Sequence, residues 1–438
     1  MRLLTTGLVC AVIAAAAPTT QPTFYKDVLP VLQKNCQNCH RPGEAGPMSF
    51  MSYESTRPAA KAIKAAVLTK KMPPWFADPK FGHFENDRTL AQADVNTLVA
   101  WADTGAAAGN VKDAPKPMNF VEGWNIGKPD VVLEMPTAFK IPAKGTVDYH
   151  YVIIPTGFTE DKYVQFAESR PSDRVHTHHI LSFIREPGSN WLKGEPVGVA
   201  FIPGRSGNGG GGGEGGGGAN IGDSLGGYAP GTVPNVMRPG QAILIKAGSD
   251  LVLQLHYTAN GKEGEDRSKV GLIFAKDKPT ERLVMLSAQN NRFTIPAGDP
   301  NYEVTQKVTL QADSKLMSFL PHMHLRGKAM DFVITYPDGR KETMLSVPHY
   351  SFEWQLSYYL ANPVMLPKGT TVEAIAHFDN SPNNPSNPDP TKEVHYGEQS
   401  WDEMMFGFFT VAVPPDVTVM DLMRPPQRQK PTGAAERQ

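Results

Sequence analysis

The chain has 438 residues, enough for roughly three domains at about 150 residues each. Lysine and arginine total 43 against 44 acidic residues, and a net charge of -1 excludes the basic excess of a nucleic-acid or anionic-membrane binder. Hydrophobic residues at 40% and charged residues at 20% mark a folded chain, and the three cysteines lie at 10, 36 and 39. Residues 40–438 therefore have no thiol, which rules out blue-copper centres, cysteine zinc sites, iron–sulfur clusters and cysteine nucleophiles there.

Residues 1–20 read as an export signal. Arg2 supplies the positive start, an apolar run follows, and four alanines end at Ala17 before Pro18. Cys10 follows Leu8 and Val9, not the small residue of a lipoprotein signal. A periplasmic or secreted bacterial protein is expected, cleaved near Ala17. No later stretch reaches about 18 apolar residues, so no membrane anchor is expected after cleavage.

Residues 22–108 carry helical spacing. Phe24, Val28, Val31 and Leu32 lead into Cys36. Residues 56–70 are rich in alanine and lysine, and Leu90, Val95, Leu98 and Trp101 line a closing helix that stops near Gly105. Residues 109–124 form a small-residue linker. Beyond it come short β-branched runs broken by turn residues, among them Val131-Val132-Leu133, Tyr151-Val152-Ile153-Ile154 and Phe332-Val333-Ile334-Thr335. Such runs predict β-sandwiches, and the length suits two, over 125–282 and 283–423. A loose tail is expected over 424–438. The run of glycine at 207–218 matches G-x-G-x-x-G only because any glycine run does; without a strand before it or a helix after it, a surface insertion is the better reading.

Cys36-Gln37-Asn38-Cys39-His40 is C-x-x-C-H, the attachment signature of one covalent haem c. Two thiols at this spacing bond the vinyl groups while the next histidine reaches the iron. A redox dithiol would need a βαβ context and a zinc site would need further cysteines; both are missing. Residues 22–108 as a whole resemble a small class I cytochrome c. The other axial ligand is open among Met72, followed by Pro73-Pro74 in an irregular loop, Met48 and His83, with Met72 preferred.

Ten of the twelve histidines lie in the β region. His176-Thr177-His178-His179 is a cluster, His256 ends the run Leu251-Val252-Leu253-Gln254-Leu255, and His322-Met323-His324 is H-x-H. On a strand, alternate residues share a face, so His322 and His324 project together and His256 points away from the leucines. The same alternation would pair His176 with His178.

Residues 175–183, 253–257, 321–328 and Asp402-Glu403-Met404 occur in the order and approximate spacing of the ascorbate-dependent type II copper monooxygenases, and residues 125–415 resemble that family. It includes peptidylglycine α-hydroxylating and dopamine β-monooxygenases. The resemblance implies two jelly-roll-like β domains with one copper each. By position, the all-histidine copper would take His178, His179 and His256, and the oxygen-binding copper His322, His324 and Met404. Adjacent His178 and His179 face opposite ways on a regular strand, so this set requires a bulge. Imidazole with thioether suits copper cycling between two oxidation states, and three protein ligands leave room for O₂.

Two departures stand out. The animal members are disulfide-rich, whereas this β region has no cysteine. The peptide-amidating member holds its substrate's carboxylate with polar residues at positions that here are Leu320, Phe406 and Phe408, so peptide amidation is not expected. The sequence thus predicts a helical cytochrome c-like domain followed by two all-β domains, acting as a copper monooxygenase. O₂ and a small apolar or aromatic substrate, uncharged rather than peptidic, are the expected reactants. Electrons would come from ascorbate or a periplasmic redox protein through the haem. The rival reading is an electron-transfer or copper-handling haem protein with no substrate of its own.

Overall fold

The computed structural model describes residues 21–44, 46–120, 123–203, 224–229, 234, 237–397 and 399–423. The signal-like start with Cys10, the glycine run at 207–218 and the tail lie outside them. The chain forms two compact units. The first comprises residues up to 37 with 48–73 and 90–118, and the second comprises 38–47, 74–89 and everything from 119 onward.

The first unit is helical. A helical turn at Phe24–Val28 runs into the helix Leu29–Asn35, and Ala60–Leu68 and Gln92–Asp103 follow. Phe24, Val28, Leu32, Leu98 and Trp101 are fully buried in its core, where the apolar periodicity points them. The two ends of the unit are tied together. Phe24 N–H donates to Ala107 O at 2.9 Å, Trp101 Nε1 donates to the same oxygen at 3.0 Å, and the Phe24 and Trp101 rings lie 6.0 Å apart.

The second unit is built of β-sheets. One eight-stranded sheet runs in the order Val131–Glu134, Lys269–Phe274, Lys162–Arg170, Gln241–Ile245, Glu281–Asn290, Met405–Val413, Ser314–His322 and Tyr358–Leu366. A four-stranded sheet of His150–Pro155, Asp250–Tyr257, Thr177–Arg185 and Ser224–Tyr228 shares a core with its first half. Another, of Tyr302–Thr309, Thr371–Phe378, Gly327–Thr335 and Lys341–Val347, shares a core with its second half. These are two sandwiches on one continuous sheet. The expected division at 282/283 falls inside Glu281–Asn290, where Glu281 and Arg282 pair in parallel with Gln241 and Ala242.

Along Asp250–Tyr257, alternation sends Leu251, Leu253 and Leu255 into the inter-sheet core. Val252, Gln254 and His256 take the other face.

Residues 74–89 depart from the sequence reading, which placed them with the helices. Phe84 bridges to Leu360, Glu85 N–H donates to Tyr359 O at 2.9 Å, and Ala361 N–H donates to His83 O at 2.9 Å. Trp75 packs on Tyr358 at 4.9 Å and on Phe84 at 6.0 Å. The segment has no helical periodicity of its own. It packs its half-buried Trp75, Phe76 and Phe84 against the β core and satisfies backbone groups there.

Candidate metal centre

The first histidine set forms where a strand ladder slips. Thr177–Arg185 pairs with Asp250–Tyr257, and the register shifts between Thr177↔Tyr257 and His179↔His256. His178 is the extra residue of a bulge, so it need not alternate with His179. Ligand nitrogens of His178, His179 and His256 all lie within 4.8 Å of one another. The Nδ1 atoms of His178 and His179 are 3.2 Å apart, and His256 Nδ1 is buried with no hydrogen-bond partner. His179 Nε2 lies 3.4 Å from Gln254 Oε1, and Gln254 Nε2 donates to Tyr151 Oη at 2.6 Å. A proton held on His179 Nε2 leaves Nδ1 as the lone pair facing its neighbours. Desolvation lowers the His178 pKa to about 4 and those of His179 and His256 well below the ordinary value.

His176, the partner that alternation favoured, is engaged elsewhere. Its Nδ1 lies 2.7 Å from Asp173 Oδ2 and its Nε2 3.2 Å from Lys262 O. Neither nitrogen is left to turn toward His178.

The second set gathers at the end of another ladder. Ser314–His322 pairs with Met405–Val413 up to His322↔Phe406. The strand stops at His322, so His324 reaches the site from the following loop and not from the shared strand face that H-x-H suggests. The two rings nonetheless sit 5.4 Å apart. Met404, just before the partner strand, is buried in a cluster with Phe406 and Phe408. Glu403, fully buried, fixes this junction: its carboxylate accepts His324 N–H at 2.9 Å, Arg326 N–H at 2.6 Å and Met404 N–H. Burial pushes the Glu403 pKa up to about 8, against the pull of these donors. His322 Nδ1 lies 2.8 Å from Gln355 Oε1, and His324 Nδ1 lies 3.3 Å from Asp402 O. His324 Nε2 is buried with no partner. Desolvation lowers the His322 pKa to about 4 and that of His324 to about 3.

Two aromatic rings join the sets. Tyr149 lies 5.5 Å from His179, 4.4 Å from His256 and 6.1 Å from His324. Phe352 stacks on His178 at 5.4 Å and meets His324 at 5.9 Å. His179 and His322 also border one cavity, whose wall includes Phe183, Leu283, Met285, Leu320 and Phe408. Phe406 lies over His322 at 6.0 Å. Leu320, Phe406 and Phe408 therefore make the surroundings of His322 apolar.

Imidazole nitrogens that are buried, neutral and without a partner are costly to leave unmatched. A metal ion coordinated by these lone pairs removes that cost, and His256 Nδ1 and His324 Nε2 place one such atom in each set. The donor types fit copper.

The C-x-x-C-H residues divide between the units. Cys36 follows the helix Leu29–Asn35, with its N–H on Leu32 O at 2.8 Å, and belongs to the first unit, as does Met72. Cys39 and His40 belong to the second. Burial raises the Cys39 thiol pKa, opposed by Arg88. Gly46 N–H donates to Cys39 O at 2.9 Å, and a Cβ on Gly46 would stand 2.7 Å from that oxygen and from His40 Nδ1, so only glycine fits here. Met72 is half-buried, Met48 is 39% exposed, and His83 is exposed.

Sequence reasoning missed the cavity wall supplied by Trp75, Asn86 and Arg88. The available signal was an aromatic-rich stretch after Pro73-Pro74 that lacks helical spacing.

No family model matches the chain, and no curated protein does. Solved structures with some likeness include the Gx strain of infectious bursal disease virus, at 8% identity over 67% of this chain and 74% of that one, with a TM-score of 0.18. The VP2 subviral particle of the same virus shows 10% identity over 65% and 74%, with a TM-score of 0.20. An allantoicase shows 8% over 55% and 81%, with a TM-score of 0.15. Likeness this slight carries no inference.

Proposed function

We propose that this protein is an exported copper monooxygenase that hydroxylates a C–H bond of a small substrate with O₂, fed by a covalent haem c. The observation that carries the reading is the pair of histidine sets, each with one buried, orphaned ring nitrogen, of which His179 and His322 border a mostly apolar cavity. His178, His179 and His256 would hold one copper; His322, His324 and Met404 would hold the other. When bound, copper supplies one-electron chemistry with O₂. The chain's own residues do the rest. Gln254 and Gln355 orient ring nitrogens, Glu403 joins the H-x-H loop to Met404, and Leu320, Phe406 and Phe408 keep water from His322. Cys36, Cys39 and His40 would attach the haem, with Met72 as its other ligand, and the helices of the first unit, without residues 74–89, would form the cytochrome c-like part. Electrons would enter from ascorbate or a periplasmic redox protein.

The rival reading, an electron-transfer or copper-handling protein, leaves the mostly apolar cavity beside His179 and His322 without a purpose. Oxygen uptake by the full-length protein under ascorbate, with a haem stain after denaturing electrophoresis, separates the two. The monooxygenase should bear one haem and consume O₂ in step with hydroxylated product, and Met404→Ala should abolish turnover while leaving the haem spectrum intact. Haem and copper present without any substrate-dependent uptake would favour the rival.

A further inference from the structure

The second half of C-x-x-C-H sits in a closed turn of the second unit. Gly46 N–H donates to Cys39 O at 2.9 Å, Glu44 N–H donates to Arg41 O at 3.2 Å, and Arg41 Nη1 donates to Asn38 O at 2.9 Å. Glu44 is the hub of this turn. One carboxylate oxygen takes Arg41 Nη2 at 3.0 Å, and the other takes Nη1 of Arg174, far along the chain. The side chains of Arg41, Glu44 and Arg174 are only 16%, 22% and 15% exposed. A lone surface pair contributes little, but a carboxylate shared between two shielded guanidiniums forms a network. Arg41 also lies over the Phe120 ring at 4.1 Å, and Arg174 over the Tyr228 ring at 6.0 Å.

Arg174 stands on the segment that leads into His178 and His179. Asp266, fully buried, holds that segment: its Oδ1 accepts Ser172 N–H at 2.7 Å and Asp173 N–H at 3.0 Å. Its Oδ2 accepts the Tyr257 hydroxyl at 2.8 Å, and Tyr257 follows His256 directly. Thr177 N–H closes on Asp173 O at 3.2 Å, and Tyr228 pairs with Ile180, the residue after His179. The arginine that grips the His40 turn is therefore fixed to the frame that carries all three histidines of the first set.

We infer that Glu44 and Arg174 are positioning residues that lock the haem-attachment turn onto the frame of His178, His179 and His256, so that electrons pass to this set first. The inference deepens the proposed function and rests on its haem and copper assignments. Cys36 and Cys39 share no disulfide, as attachment through both thiols requires. When bound, the haem supplies single electrons, ferrous iron becoming ferric as one cupric ion becomes cuprous, with a reductant of the ascorbate class upstream. Holding two partners in one geometry makes transfer unimolecular, and a small misplacement slows it.

The test has two parts, both on the full-length protein. Amide hydrogen exchange at Gly46 reports the clamp with or without copper. Arg174→Gln and Glu44→Gln should each speed it about tenfold, and Arg174→Lys, which keeps the charge, should lie between. Unchanged exchange in Arg174→Gln overturns the clamp. In the copper-loaded protein, one electron placed on the haem by anaerobic flash photoreduction should leave it at a rate independent of protein concentration. The cupric resonance signal lost in step should be the one missing from His256→Ala. Arg174→Gln should slow the transfer about tenfold or more with the haem spectrum unchanged. Loss of the signal that His256→Ala retains, or equal rates in Arg174→Gln and wild type, overturns the inference. Haem staining and copper content are measured on the same samples. A chain that takes up no haem or no copper defeats the proposed function and the electron route together, while exchange at Gly46 still decides the clamp.

Discussion

At the scale of single residues, the second histidine set depends on a side chain that binds no metal itself. Glu403 receives backbone N–H groups from His324, Arg326 and Met404, and so ties the loop after one strand to the start of another. Removing a buried acceptor leaves its donors unsatisfied, at about 1–3 kcal/mol each. Glu403→Ala should destabilise the fold by about 3 kcal/mol or more in denaturant titration, and, on the proposed copper assignment, should empty the site of His322, His324 and Met404 before that of His178, His179 and His256. Glu403→Gln keeps one acceptor oxygen and should lie between. The contrast among the neighbouring histidines is as sharp. His176 faces oxygen atoms on both ring nitrogens, whereas His178 turns its Nδ1 to His179. Alternation in the sequence could not separate them, because the separating fact is a one-residue slip in the ladder.

At the scale of elements, the segment 74–89 shows what was legible in the sequence and what was not. The short β-branched runs became strands, and the leucine face of 251–255 became core, because period-two patterning is a local property. H-x-H was half legible: the two histidines meet, but the strand carrying them ends at His322. The segment 74–89 was not legible, since its backbone partners, Ser346, Tyr359 and Ala361, lie far along the chain. No local pattern announces such a pairing. Asn86→Ala removes both hydrogen bonds to the strand Tyr358–Leu366 region. It should cost about 1–3 kcal/mol and make the segment the first site of cleavage in limited proteolysis. Wild-type resistance there combined with an unchanged variant would show that the aromatic packing of Trp75 and Phe84 alone holds it.

At the scale of the whole molecule, burying five neutral histidines together makes the fold acid-sensitive. Their folded values lie below the ordinary 6.5, at about 4 for His178 and His322, about 3 for His324, and well below 6.5 for His179 and His256. Between pH 6.5 and 4 the unfolded chain binds protons that the native chain does not, so stability is complete above that window and falls as pH drops through it. Glu403 acts in the opposite sense. Its raised value favours the folded state at low pH and loses that contribution as pH rises toward about 8. One carboxyl does not offset five imidazoles, so the metal-free protein should lose thermal stability steadily from pH 6.5 to 4. His256→Gln should flatten that slope. A melting temperature unchanged across the window would mean that these rings open to water.

Copper stoichiometry tests the central claim most directly. Full-length protein loaded with copper and freed of excess metal should hold two copper atoms per chain. His256→Ala and Met404→Ala should each hold one, and the double variant none. A single copper in the wild-type protein, zinc held in preference to copper, or two coppers retained in both single variants would contradict the assignment of His178, His179 and His256 to one centre and His322, His324 and Met404 to the other.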